Sequence, residues 1–218
     1  MAGYFQTYIE RDVRTLTQIG NLDLFQRFVK LCAARSGQIL NLSSLASDAG
    51  ISSPTARAWL SILQTSYLVF LLTPHARNFS KRLIKAPKLY FLDTGLLCYL
   101  LRIQKSGDLM THAQRGAIFE SWVVSELYKY FIHRGEQTPL YFWRDQTGHE
   151  VDVLAEIGDT VLPIEIKSGQ TLAGDSFKGL YYWLGLGGNE ASKGMLVYAG
   201  DSSYERQNIS VRSWWQLP

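Results

Sequence analysis

The sequence predicts a mixed α/β protein in two parts: a largely helical segment closed by two strands, residues 1–105, and an α-β-β-β-α-β domain, residues 106–218. Three observations lead there. Apolar residues up to position 65 recur at helical spacing, whereas those after position 140 alternate or cluster as in strands. A polar, glycine-containing stretch, QKSGDLMTHA at 104–113, separates the two patterns.

The first 35 residues read as helix, with Leu22, Phe25, Phe28, Val29, Leu31 and Cys32 as the apolar stripe and Asn21 or Asp23 at its start. Gly37 ends this pattern. Ser43 and Ser44 then cap a short helix, Leu45–Ala49, which Gly50 terminates. Ser52 caps the next helix, and Pro54 falls in its first turn, where a missing N–H costs nothing. Ala56, Trp59, Leu60 and Leu63 lie on one side of it. A β-prone run follows at 67–72, and its partner strand is expected at 88–92. Helix, tight glycine turn, helix and strand pair is the outline of a winged helix-turn-helix. Arg77, Lys81, Arg82 and Lys85 would form a basic wing tip, and Arg57 is the one arginine on the second helix. These cations suit backbone phosphate, which gives affinity without base choice. A winged helix that binds protein has the same outline.

Asp93-Thr94-Gly95 opens a further helix through Leu101. The second part begins with a strong helix at 114–133, striped by Phe119, Val123, Leu127 and Tyr130. Strands are expected at 140–143, 150–156 and 160–167, then a helix at 176–186 and a strand at 194–198.

Bulk properties exclude several classes. At 218 residues, 46% hydrophobic and 19% charged, the chain is globular and long enough for one large or two small cores. No apolar run reaches about 18 residues, so no membrane span is expected. The N-terminus has no signal pattern, and a cytoplasmic location is the expectation. Cys32 and Cys98 lack metal-type spacing and read as reduced thiols. His75, His112, His133 and His149 are scattered and read as surface residues, with no zinc site. The net charge of +3 hides an asymmetry: residues 75–105 carry 7 basic and 1 acidic side chains, residues 106–218 carry 9 and 14. A basic middle beside an acidic half suits a polyanionic partner.

The chemistry concentrates in two strands. In Pro163-Ile164-Glu165-Ile166-Lys167, period two puts Glu165 and Lys167 on the face opposite the isoleucines. In the strand before it, Val151, Val153 and Ala155 are expected on the core face, with Glu150, Asp152 and Leu154 turned the other way. A hairpin through Gly158-Asp159 would bring Asp152 near Glu165. Such a set can bind a divalent cation, with the lysine beside the attacking water. It can equally form a surface salt-bridge network. Arg144 and Glu150 flank it, able to pair with each other or to meet phosphate.

Glu120 in a helix, Asp152 in EVDVLAE and Glu165-x-Lys167 in PIEIKSG resemble the PD-(D/E)XK phosphodiesterase superfamily, whose core has the same αβββαβ order. The resemblance implies Asp152 and Glu165 as ligands of Mg²⁺ or Mn²⁺, Lys167 as the water-assisting group and Glu120 as an accessory acid. The proline of the motif is absent beside Asp152. More widely, YFQTYIERDV, YFLDTGLLCYL, GAIFESWVVSEL, YFWRDQTGHEVDVL and IEIKSG are similar to a domain of unknown function that follows an AAA-type ATPase module in prokaryotic proteins. That similarity implies a C-terminal part of a longer protein, with the ATPase as partner. No GxxxxGK[ST] loop occurs, so no ATP site is expected in this chain. It further implies a metal-dependent nuclease, or a nuclease-like module binding nucleic acid, DNA more than RNA. A non-catalytic regulatory module with an inactive nuclease fold is the alternative. Oligomerisation stays open.

Overall fold

A computed structural model describes Gly3, Thr7 and residues 21–75, 84–186 and 191–217. The chain packs as two compact units. The first takes residues up to Leu71 and Leu89–Ser121; the second takes Leu72–Lys88 and Trp122–Pro218.

The first unit is built on three capped helices, α1 (Leu22–Ala34), α2 (Leu42–Ala49) and α3 (Ser53–Thr65). The Asn21 side chain accepts the N–H of Leu24, Asn41 that of Ser44, and Ser52 that of Thr55. Each cap satisfies one otherwise orphaned amide. The α2 cap is therefore Asn41, not the serines that follow it. Gly50 stops α2 in the left-handed conformation, φ 76°, which a residue with a Cβ rarely adopts.

Strands β1 (Val69–Leu72) and β2 (Lys88–Phe91) pair with each other. The chain before α2 joins them through hydrogen bonds from Gly37 N to Leu89 O and from Leu89 N to Gln38 O. The predicted strand at 67–72 begins late because α3 closes over it. Tyr67 sits at φ 55°, and the Leu68 amide bonds back to the carbonyl of Leu63. Helix α4 (Thr94–Leu100), capped by Asp93, follows, and a short helix α5 (Ser106–Thr111) occupies the expected linker. Phe25, Phe28, Val29, Cys32, Leu45, Trp59, Leu63, Phe91 and Leu97 form one core, in which Phe25 and Phe28 meet Trp59 edge-on.

Helix α6 (Arg115–Ile132) crosses the division between Ser121 and Trp122. The second unit carries a six-stranded mixed sheet, formed by β3 (Leu140–Arg144), β4 (Glu150–Ile157), β5 (Thr160–Lys167), β6 (Gly194–Tyr198), β7 (Tyr204–Arg206) and β8 (Ile209–Ser213), in the order β3-β4-β5-β6-β8-β7. β4 and β5 form the expected hairpin, closing at Ile157 opposite Thr160. A 3₁₀ turn and helix α7 (Lys178–Leu184) then carry the chain across to β6, parallel to β5. β7 and β8 extend the sheet beyond the last strand the sequence pattern predicts. A further edge lies beside β3, where Pro74 bridges to Phe142 and the amide of His75 donates to the Phe142 carbonyl.

One irregularity bears on the site. Between the pairs Tyr141–Leu154 and Trp143–Val151, β3 advances two residues while β4 advances three. β4 therefore holds an extra residue at Asp152–Val153, a β-bulge. Its effect is to put Val151 and Leu154 in one apolar cluster with Trp143, Leu180, Trp183 and Leu196. Strict alternation groups Val151 with Val153 and turns Leu154 outward, and the bulge overturns that expectation.

Candidate active site

The bulge, the β4–β5 fork and α7 together build the site. The ladder between β4 and β5 runs from Ile157–Thr160 to Val153–Ile164 and no further. At its end the Asp152 side chain takes over, its Oδ2 accepting the N–H of Ile166 at 2.8 Å. That amide lies between Glu165 and Lys167. The Lys167 Nζ donates to Glu165 Oε1 at 2.6 Å, with the carboxylate side chain 9% exposed and the ammonium 36%. The structure thus brings Asp152, Glu165 and Lys167 to one end of the fork.

Helix α7 covers Glu165. Gly179 approaches so closely that an added Cβ would lie 2.6 Å from the Glu150 carbonyl oxygen and 3.1 Å from Glu165 Oε2. Glycine inside a helix costs about 1 kcal/mol relative to alanine, and here the missing side chain lets the helix close over the acidic strand. A glycine within a predicted helix was the legible sign of this contact.

Glu150 is clamped on both oxygens. Lys88 Nζ lies 2.5 Å from Oε1 and Arg144 Nη1 lies 3.1 Å from Oε2. Arg144 is the predicted flanking cation, engaged as an ion pair. Lys88 is 3% exposed, at a position the sequence marks only as the start of a strand. Nothing in the local pattern at Lys88 distinguishes a buried ammonium from an exposed one.

The turn from β3 to β4 holds a second cluster. Asp145, 2% exposed, accepts through Oδ1 from the Thr147 amide, the Thr147 hydroxyl and the His149 amide. Burial works to raise its pKa, but the hydrogen bonds from Thr147 and His149 outweigh that and hold the carboxyl below the ordinary value. The Asp-x-Thr-Gly sequence carries the signature of such a side-chain-closed turn.

Glu120 belongs to the first unit, where Tyr90 donates its hydroxyl to Oε1 at 2.5 Å. Arg57 is exposed on α3 and, with Ser53, Pro54, Ala58 and Ser61, lines an open hollow of about 400 Å³. Lys85 is exposed; Arg77, Lys81 and Arg82 lie outside the described residues. His75, expected at the surface, is buried and bonded through Nε2 to Glu156 Oε1 at 2.8 Å.

Among the described residues no group of three or more His, Cys, Asp or Glu side chains is placed to hold a metal ion. The fork offers two carboxylates, an all-oxygen donor pair. That set fits a hard cation such as Mg²⁺, which keeps several waters and takes one or two protein carboxylates alongside substrate phosphate. Among the described residues no helix is long and apolar enough to cross a membrane.

Residues 1–107 match a domain of unknown function, DUF8612, and residues 115–217 match another, DUF4143. The chain is also 32% identical, over 169 residues, to the uncharacterized proteins Rv2008c of Mycobacterium tuberculosis and Mb2031c of Mycobacterium bovis. The match covers 78% of this chain and 37% of each relative's length.

Proposed function

We propose that this chain is the nucleic-acid-handling part of a larger ATPase-associated protein, with a PD-(D/E)XK-like site that hydrolyses phosphodiester bonds. The single observation that carries the reading is the fork itself. Asp152 occupies the place of a ladder hydrogen bond on the amide between Glu165 and Lys167, and Lys167 reaches Glu165. The order α6, β3, β4, β5, α7, β6 supports the nuclease-like fold. The order α1, α2, α3, β1, β2, with the chain at Gly37–Gln38 completing the strand pair, supports a winged helix.

In this reading Asp152 and Glu165 hold Mg²⁺ or Mn²⁺. The ion, when bound, supplies a more acidic water and offsets charge on the phosphoryl oxygens. The protein's own groups do the rest. Lys167 presents a cation to the attacking water or to the charge developing in the transition state. Glu120 is proposed as an accessory acid on resemblance alone. Arg57, Arg77, Lys81, Arg82, Lys85 and Arg144 are proposed to meet backbone phosphates, giving affinity without base choice. The match to relatives of more than twice this length supports a larger protein; the ATPase module that drives or regulates the site in it is proposed on resemblance alone.

Incubation with single- and double-stranded DNA and RNA in Mg²⁺ or Mn²⁺ is the test. The reading predicts cleavage that Asp152→Ala abolishes. No cleavage of any substrate, or cleavage that survives the substitution, leaves the regulatory-module alternative in its place.

A further inference from the structure

His149 closes the β3–β4 turn, three residues before Asp152, and is held by three neighbours. Its ring stacks on Tyr182 with centroids 3.6 Å apart and planes within 5°. Its Nδ1 is 2.9 Å from the Thr147 hydroxyl and 3.3 Å from Asp145 Oδ2. The Thr147 hydroxyl spends its one proton on Asp145 Oδ1, at 2.7 Å. It therefore faces His149 with a lone pair, as does the Asp145 carboxylate, so Nδ1 must carry hydrogen. The outward nitrogen is Nε2, on a side chain 45% exposed over a carboxylate 1% exposed.

The position relates this ring to the fork. Tyr182 follows Gly179 by three residues on α7, about one turn or ~5 Å along the axis. Gly179 is the residue that touches Glu165. The charged and titratable groups facing the ring are the Asp145 carboxylate and the Tyr182 phenol, which itself bonds to Asp145 Oδ2 at 3.4 Å. The next residue, Glu150, is occupied by Lys88 and Arg144. A fixed anion behind the ring and an aromatic face against it leave Nε2 as the ring nitrogen open to an anionic ligand, which it meets as a donor when the ring carries both protons.

We propose that His149 is a phosphate-contact residue, donating from Nε2 to a backbone phosphate of nucleic acid running past the Asp152–Glu165 fork. This rests on the nucleic-acid reading of that fork. Asp145, Thr147 and Tyr182 are its positioning residues. The Asp-tethered, aromatic-stacked histidine is thus more than a turn residue.

The test is fluorescence anisotropy with labelled duplex DNA in EDTA at pH 6, repeated across a salt series. Each phosphate contact on a duplex adds about 0.9 to the slope of log affinity against log salt. His149→Phe keeps the stack and His149→Gln keeps polarity; both are expected to bind several-fold more weakly, with the slope reduced by about 0.9. His149→Arg is expected to restore the slope. Two neutral variants are used so that a folding defect in one, seen by circular dichroism, leaves the other readable. Unchanged affinity and slope in a folded neutral variant overturn the His149 assignment while leaving the nucleic-acid reading intact. A wild-type chain that binds neither duplex nor single-stranded DNA overturns both.

Discussion

The Asp152 carboxylate accepts the backbone N–H of Ile166 at 2.8 Å, where the β4–β5 ladder has stopped. A strand amide at that position would ordinarily pair with a carbonyl of its neighbour. Here a side chain has taken it, and the strands part at the residues that carry the acids. The β-bulge at Asp152–Val153 is what makes the exchange possible, because it re-aims the strand just before the fork.

Gly179→Ala is expected to destabilise the protein by about 1–3 kcal/mol, as overpacking does in a closed contact, despite alanine's helix preference. The added methyl would meet the Glu150 carbonyl at 2.6 Å. Urea denaturation of the two proteins measures it. Equal or greater stability of the variant would mean that α7 has room the structure does not give it.

Lys88 and Arg144 share Glu150 unequally. Lys88 has a side chain 4% exposed, Arg144 one 39% exposed. Lys88→Ala should cost about 1–3 kcal/mol, since a half-buried carboxylate loses its desolvated partner. Arg144→Ala should cost about 0–1 kcal/mol, as exposed pairs do. Reversal of that order in thermal melts would place Lys88 in solvent.

Asp145 gives a pH signature. Its folded pKa is depressed, so its contribution is present above the unfolded value of about 3.9 and is lost as pH falls from there through the folded value. Asp145→Asn should therefore be less stable than wild type at pH 7, with the gap narrowing below about pH 4. A gap independent of pH would show that the hydrogen bonds from Thr147 and His149 do not depend on the carboxylate charge.

The two thiols should differ in reactivity. Burial pushes the Cys32 thiol up to about 12, whereas Cys98 is only half-buried and its pKa is raised by burial and by Asp93. With a thiol-exchange reagent at pH 8, Cys98 should react first and Cys32 only on unfolding. Prompt reaction of Cys32 in the native protein would contradict the packing of α1.

Much of this was legible beforehand, for physical reasons. The hairpin over 150–167 follows from a Gly-Asp turn between apolar-rich strands, and Glu165 with Lys167 on one side follows from period two. The bulge was not legible, because one extra residue leaves the composition of EVDVLAE unchanged while shifting which side chains share a face. β7 and β8 were missed because SYERQNISVRS reads as polar turn and edge, and only the pairing of β8 with β6, and of β7 with β8, makes them strands. Lys88 was missed as a buried charge, since its partner Glu150 is distant in sequence and meets it only in the fold, whereas Asp145 was missed although its partners Thr147 and His149 lie in its own turn. Gly179 and the Asp145 turn each left a sign in the sequence.

The central claim is that Asp152 and Glu165 take up one divalent cation together. Isothermal titration of the chain with Mn²⁺, beside Glu165→Gln, tests it most directly. The account predicts saturable heat in the wild type that disappears in the variant; heat absent from the wild type, or undiminished by the substitution, would contradict it.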